Sequence, residues 1–223
     1  MASKWIFPNF VQKFFLGFSR IFPRDNFFRN IFSGQKNDQI FRWLDHPDGS
    51  RCLFSLSHVF RSRVLSRGAK LRVYNAVLRP DVTYGCETWN LTVRAQRRLL
   101  AFENKVLRRI LGPKRDPLTG RLRMRPNEET RRLTGQPLIT GIIKSHRLRW
   151  AGHVARAPPT RYIRQVLDGR PTSPRPQGRP RLRWEDNVSA DAGRLGIPDW
   201  RISCQDRSAW RTISDAATGL QAL

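Results

Sequence analysis

Any chemistry in this chain would have to come from a small set of carboxylates, histidines and thiols. Phosphoryl transfer needs acids clustered closely enough to hold two divalent ions, yet the 17 Asp and Glu include no Asp-Asp pair. Glu128-Glu129 and Glu185-Asp186 are adjacent acids, but each opens a run that reads as a helix. There the backbone dipole favours negative charge in the first turn, so capping explains both pairs. His146 and His153 share a helical repeat and could meet on one face. With no Cys, Asp or Glu at ligand spacing, they read as core or interface histidines rather than metal ligands. Cys52, Cys86 and Cys204 are odd in number and far apart, which implies no disulfide framework and a reducing compartment. The sequons at Asn90-Leu91-Thr92 and Asn187-Val188-Ser189 then read as chance matches. There is no Gly-rich phosphate loop and no defensible Ser-His-Asp order. The expectation is a chain with no catalytic residue, no metal and no cofactor.

Binding chemistry is far better represented. Lys and Arg number 42, giving a formal charge of +25, and a density of that size calls for an anionic partner. It is unevenly placed: residues 1–50 hold seven Lys/Arg and four Asp/Glu, the rest of the chain 35 and 13. Arg dominates there, and a planar guanidinium pairs with phosphate in bidentate fashion and stacks on bases where an ammonium cannot. That favours an RNA or DNA backbone, bound without sequence preference, over a lipid surface. The candidate contacts are Arg94, Arg97, Arg98, Lys105, Arg108 and Arg109 in one stretch, Lys144, Arg147 and Arg149 in a second, and Arg175, Arg179, Arg181 and Arg183 in a third.

Helices must position these cations. Leu71, Tyr74 and Leu78 mark a face that should stop before Pro80, because the residue preceding proline is pushed out of the helical region. Val82-Thr83-Tyr84 reads as extended, with Gly85 supplying a turn. The clearest helix follows: Thr92 caps it, Leu99, Phe102, Val106 and Ile110 form its apolar stripe, Gly112-Pro113 end it, and the first group of cations lines its other face. Asn127 should cap a brief helix closed by Gly135 and Pro137. The next helix should run from about Leu138 to Val154, burying Ile139, Ile143, His146, Trp150 and Val154 and turning Lys144, Arg147 and Arg149 outward, until Pro158-Pro159 terminates it. Residues 170–183 carry four prolines and read as an extended basic strand. Its Gly178-Arg179-Pro180 resembles an AT-hook, with Gln177 where that motif has Arg, so it is either a plain linker or a minor-groove reader. Trp184, Val188 and Leu195 define a further helix ended by Gly196, and Trp200, Trp210 and Ile213 a last apolar cluster, read as core rather than as a base-stacking platform.

Five short strings occur in fixed order: Tyr84-Gly85-Cys86-Glu87-Thr88-Trp89, Phe102 to Ile110 (FENKVLRRI), Arg147 to Val154 (RLRWAGHV), Gly178 to Trp184 (GRPRLRW), and Asp206 to Arg211 (DRSAWR). Together they resemble the C-terminal tail of a LINE-type (non-LTR) retrotransposon reverse transcriptase, beyond its catalytic palm, over roughly residues 66–217. The resemblance implies thumb-like and post-thumb helices that grip the template. That family's aromatic-x-Asp-Asp turn, its endonuclease segment and the zinc knuckle of some relatives have no counterpart here. A non-catalytic remnant with sequence-tolerant RNA or DNA binding is therefore expected.

The first fifty residues have a different character. Ten of the 13 Phe precede Trp43, interrupted by Pro8, Gln12 and Lys13, so neither a secretory signal nor a membrane span is indicated. Three readings stay open: a mitochondrial presequence, an interfacial aromatic helix, or unrelated sequence joined to the rest. In the first two, the chain would be a targeting or interaction protein acting through this leader. The location expected otherwise is nuclear or cytoplasmic. The overall expectation is a mainly α chain of small helical modules joined by basic Pro/Gly-rich linkers, with no extensive sheet and partly disordered: a Phe-rich segment over 1–50, a helical basic module over 51–167, a linker over 168–181 and a small C-terminal module over 182–223.

Overall fold

The computed structural model describes residues 52–169 and 183–220. The Phe-rich leader, most of the basic linker with its AT-hook-like core, and Arg175, Arg179 and Arg181 lie outside the described residues. Within them the protein is mainly helical, as the sequence predicts, with a single two-stranded ribbon. All described residues fall within one compact unit, Ile40–Leu223.

Helix α1 (Ser57–Arg61) leads to α2 (Arg67–Val73), whose start is capped by Ser66 accepting from the Ala69 N–H. The chain does not stop before Pro80. It passes through a π turn at Tyr74–Leu78 into the short α3 (Arg79–Val82), with Pro80 in the first turn. A wide turn changes the hydrogen-bond partners just before the proline, and in the first turn its missing N–H costs nothing. Thr83 and Tyr84 consequently form a turn rather than extended chain. Gly85 takes the left-handed conformation (φ 67°) ahead of a 3-10 turn, Cys86–Thr88.

Helix α4 (Val93–Leu111) is bounded as its sequence suggests, by Thr92 accepting from the Ala95 N–H and by Gly112 at φ 75°. A hairpin of β1 (Lys114–Arg115) and β2 (Leu122–Arg123) follows, pairing antiparallel with Lys114 opposite Arg123. Helix α5 (Asn127–Thr134) begins one position earlier than expected, Asn127 being its first residue rather than its cap, and closes on left-handed Gly135. Helix α6 (Ile139–Ala155) is followed by α7 (Tyr162–Asp168), which no sequence signal announces. From residue 183 onward come α8 (Trp184–Arg194), α9 (Trp200–Ser203) and α10 (Arg207–Ala216), the last two capped by Asp199 and Asp206.

Two apolar clusters share α6. Ile139 and Ile143, at its N-terminal end, join Phe60, Tyr74, Leu78, Leu91, Leu99, Val106 and Ile110. Leu148, Ala151 and Ala155, toward its C-terminal end, join Val188, Ala192, Trp200, Trp210 and Ala217. The helices after residue 183 therefore do not form a core of their own: they complete one whose other wall is α6. Trp150 lies outside the first cluster, half-buried and stacked on His153 with ring centroids 5.3 Å apart.

Candidate nucleic-acid interface

The outer face of α4 presents the first group of cations unequally. Arg94, Arg97 and Lys105 are exposed, and Arg98 and Arg109 half-buried. Arg108 is committed to the fold: its Nε donates to the Arg125 carbonyl at 3.0 Å and its Nη2 to Asn127 Oδ1 at 2.5 Å. It thus clasps the hairpin's exit and the start of α5 to α4.

The hairpin adds cations that the sequence reading passed over. Arg115, Arg121 and Arg123 are exposed, alongside Leu118, Leu122 and Met124, at 94, 64 and 73%. The loop is fixed locally: Asp116 Oδ1 accepts from the Leu118 N–H at 3.0 Å, and its carbonyl from the Gly120 N–H at 2.9 Å. Gly120 at φ 66° supplies the reversal. Asp116-Pro117 followed by Gly120 between basic residues is a turn signature that could have found the ribbon.

The second group needs correction. Lys144 and Arg147 do not face outward; both are 1% exposed. Arg147 forms a buried ion pair with Asp191 of α8 and donates to the Trp89 carbonyl at 3.1 Å. Burial holds the Lys144 ammonium below its ordinary range, with Asp191 opposing that effect. The physical reason is that α6 is covered on both sides. The side of α6 that carries Lys144 and Arg147 meets α8, so only a narrow stripe through Arg149 and His153 is left to solvent. Only Arg149 of this trio is exposed, paired with Asp215. Arg183 is exposed at the start of α8, its backbone N–H donating to Asp186 Oδ2 at 2.8 Å.

This accounts physically for the RLRWAGHV string. Arg147 supplies the buried pair, and the Leu148 carbonyl accepts from Trp210 Nε1 at 2.8 Å. A Cβ on Gly152 would lie 2.3 Å from that same nitrogen, and one on Gly141 2.3 Å from the Thr218 carbonyl oxygen. Both glycines admit the C-terminal segment against α6. His146 Nδ1 lies 3.5 Å from Cys86 Sγ. Burial pushes this thiol up to about 12, with Glu87 adding to the rise, and pushes the imidazole below its usual value, with Arg149 helping. Both partners are neutral at pH 7, the reverse of the thiolate–imidazolium pair that nucleophilic catalysis uses.

The carboxylates are largely occupied by folding. Glu103 accepts from Tyr74 Oη at 2.9 Å, from Arg79 at 3.5 Å and from the Ile139 N–H at 3.1 Å, tying the π turn, α3 and α4 to the start of α6. Glu129 pairs with Lys114 and Arg125, at 3.3 and 2.5 Å. Glu185 and Asp168 share Arg201, at 2.7 and 2.9 Å. Among the described residues no cluster of His, Cys, Asp and Glu could hold a metal ion, and no helix is long and apolar enough to cross a membrane. Asn187, 8% exposed and hydrogen-bonded to Asn90, is an inaccessible sequon.

Comparison with known proteins gives one informative similarity. An uncharacterized transposon-derived protein of Caenorhabditis elegans is 26% identical over 159 residues, which is 67% of this chain and 55% of that protein. The chain thus spans about half the length of the curated relative it matches, and the likeness supports a transposon-related origin. No family model and no solved structure matches the chain.

Proposed function

We propose that the chain is a non-catalytic remnant of the tail of a LINE-type reverse transcriptase and that it binds RNA and DNA backbones with little regard to sequence. One observation carries this reading. Arg97 and Lys105 on α4, and Arg115, Arg121 and Arg123 on the hairpin that follows, are exposed, while neighbouring carboxylates such as Glu103 and Glu129 are held by the fold. Cations left unneutralised on an exposed helix and ribbon attract phosphates and release their counterions. Such contacts position a backbone without specifying bases.

The test is fluorescence anisotropy of the full chain with labelled RNA and duplex DNA of several sequences, across salt. Affinity on the order of micromolar at physiological salt, falling steeply as salt rises, is expected. Changing Arg97, Lys105, Arg115, Arg121 and Arg123 together to Gln should weaken every ligand alike. On duplex DNA it should flatten the slope of log K against log salt by about 0.9 for each phosphate no longer neutralised. Binding unchanged by salt, or affected for one sequence alone, would refute the reading.

A further inference from the structure

A second cationic feature lies away from α4, where the C-terminal end of α6, the turn after it and the start of α10 line an open cleft of about 320 Å³. Four of its six lining residues carry basic side chains, His153, Arg156, Arg161 and Arg207, and the other two are Ala157 and Pro158. No carboxylate lines it among the described residues. The nearest acid in sequence, Asp206, spends its Oδ1 on the N–H groups of Ser208 and Ala209, at 2.8 and 3.1 Å, and on Ser208 Oγ at 2.6 Å.

The walls are held before any ligand arrives. The Pro158 carbonyl accepts from the Arg161 N–H at 2.9 Å, closing a tight turn through Pro158 and Pro159, whose rings restrict the backbone. Arg156 is anchored through one guanidinium nitrogen on the Cys204 carbonyl, which orients the fork while leaving its other N–H groups. His153 is steadied by its stack on Trp150. Arg161 and Arg207 are exposed and are not needed to build any wall. Three guanidiniums and an imidazole around one concavity make an electrostatic and hydrogen-bonding complement to a tetrahedral oxyanion.

We infer that the His153–Arg156–Arg161–Arg207 cleft is a phosphate-binding site that seats one backbone phosphate of a bound nucleic acid. The inference rests on the nucleic-acid reading for its ligand, but not for the cleft's affinity for phosphate. A concave lining in which Arg156 and His153 are already anchored distinguishes it from the open faces of α4 and the hairpin. It therefore provides a fixed anchor point where those faces provide diffuse attraction.

The experiment follows the imidazole signals of the full chain, which has four histidines, during titration with inorganic phosphate. The His153 ring signals should move saturably while those of half-buried His146, outside the cleft, stay, and Arg161→Gln with Arg207→Gln should abolish the movement without altering His146. Equal movement of all histidines, or movement surviving in the double variant, would overturn the site. In a second arm the double variant is titrated with duplex DNA, where its salt slope should fall by about 1 to 2 relative to the unaltered chain. An unchanged slope beside a lost phosphate response would mean that the cleft takes free phosphate alone, overturning the inference while leaving the broader reading intact. Absence of any nucleic-acid binding by the unaltered chain would remove the broader reading and the backbone assignment together, whereas the histidine titration would still decide whether the cleft binds phosphate.

Discussion

Replacing Gly152 by Ala should destabilise the protein, although alanine is the better helix former. Gly152 lies inside α6, where exchange for Ala would by propensity alone gain about 1 kcal/mol. The added methyl would sit 2.3 Å from Trp210 Nε1 and 2.4 Å from its Cδ1, well inside contact distance. Trp210 is 1% exposed in the second core and cannot swing outward. Overpacking of this kind costs roughly 1–3 kcal/mol, and displacing the indole from the Leu148 carbonyl removes a buried hydrogen bond worth about 1 kcal/mol more. The net expectation is a loss of about 1–3 kcal/mol. Gly193→Ala supplies the matched control, since that position is also helical, on α8, and a Cβ there meets nothing within 4 Å. It should stabilise by up to about 1 kcal/mol. Urea unfolding of both variants followed by far-ultraviolet circular dichroism reads the two effects as opposite shifts of the midpoint. Gly152→Ala as stable as the parent, or shifted in the same direction as Gly193→Ala, would refute the claim that close Trp210 packing requires a glycine.

Three other outcomes are expected. Asp191→Ala leaves the Arg147 guanidinium buried without its ion-pair partner and should cost about 3–5 kcal/mol, against a far smaller loss for Asp215→Ala at the exposed, solvent-screened pair with Arg149; similar losses at the two sites would contradict the burial pattern. His146, held below its usual value chiefly by burial, takes up a proton in the unfolded chain before the folded one, so its contribution to stability is present above its unfolded value and lost as pH falls from there through its lower folded value; His146→Gln should therefore flatten the fall in melting temperature between neutral pH and mild acid, and an unaltered profile would count against it. In Mg²⁺ or Mn²⁺ the chain should extend no primer and cut no nucleic acid, and incorporation by a preparation free of other polymerases would reveal a catalytic site.

Helix α4 was legible because one side of it meets solvent, so that Leu99, Val106 and Ile110 alternate with cations at the helical period and Thr92 and Gly112 mark its ends. Helix α6 misled for the opposite reason. With all but a narrow stripe of the helix covered, periodicity carries little directional signal, and Lys144 and Arg147 look like surface residues until Asp191 arrives from 44 positions beyond Arg147. The hint in the sequence was the set of small residues Gly141, Ser145, Ala151 and Gly152, which let other segments pack closely against most of the helix. The π turn ahead of Pro80 had no sequence signature, since it is a compromise between a proline and a packed Tyr74. Of the expected contacts, exposed Arg94, Arg97, Lys105, Arg149 and Arg183 remain candidates. Arg108 and Arg147 belong to the scaffold, and the turn residues Asp116-Pro117 and Gly120 were signal enough for the hairpin that carries the additional arginines.

The sharing of α6 between two cores has a consequence for how such a sequence can drift. Ile143 faces one cluster and Leu148 the other, and between them lie Lys144 and Arg147, both buried. Gaining or losing one residue in that interval would rotate everything downstream by about 100° around the helix axis. Leu148, Ala151 and Gly152 would then turn away from Trp210, and no local adjustment of side chains could restore the match. Substitution is forgiven there more readily than a change of length. Diverging descendants of this sequence should therefore keep the count of residues between the two cores long after the residues themselves have become unrecognisable.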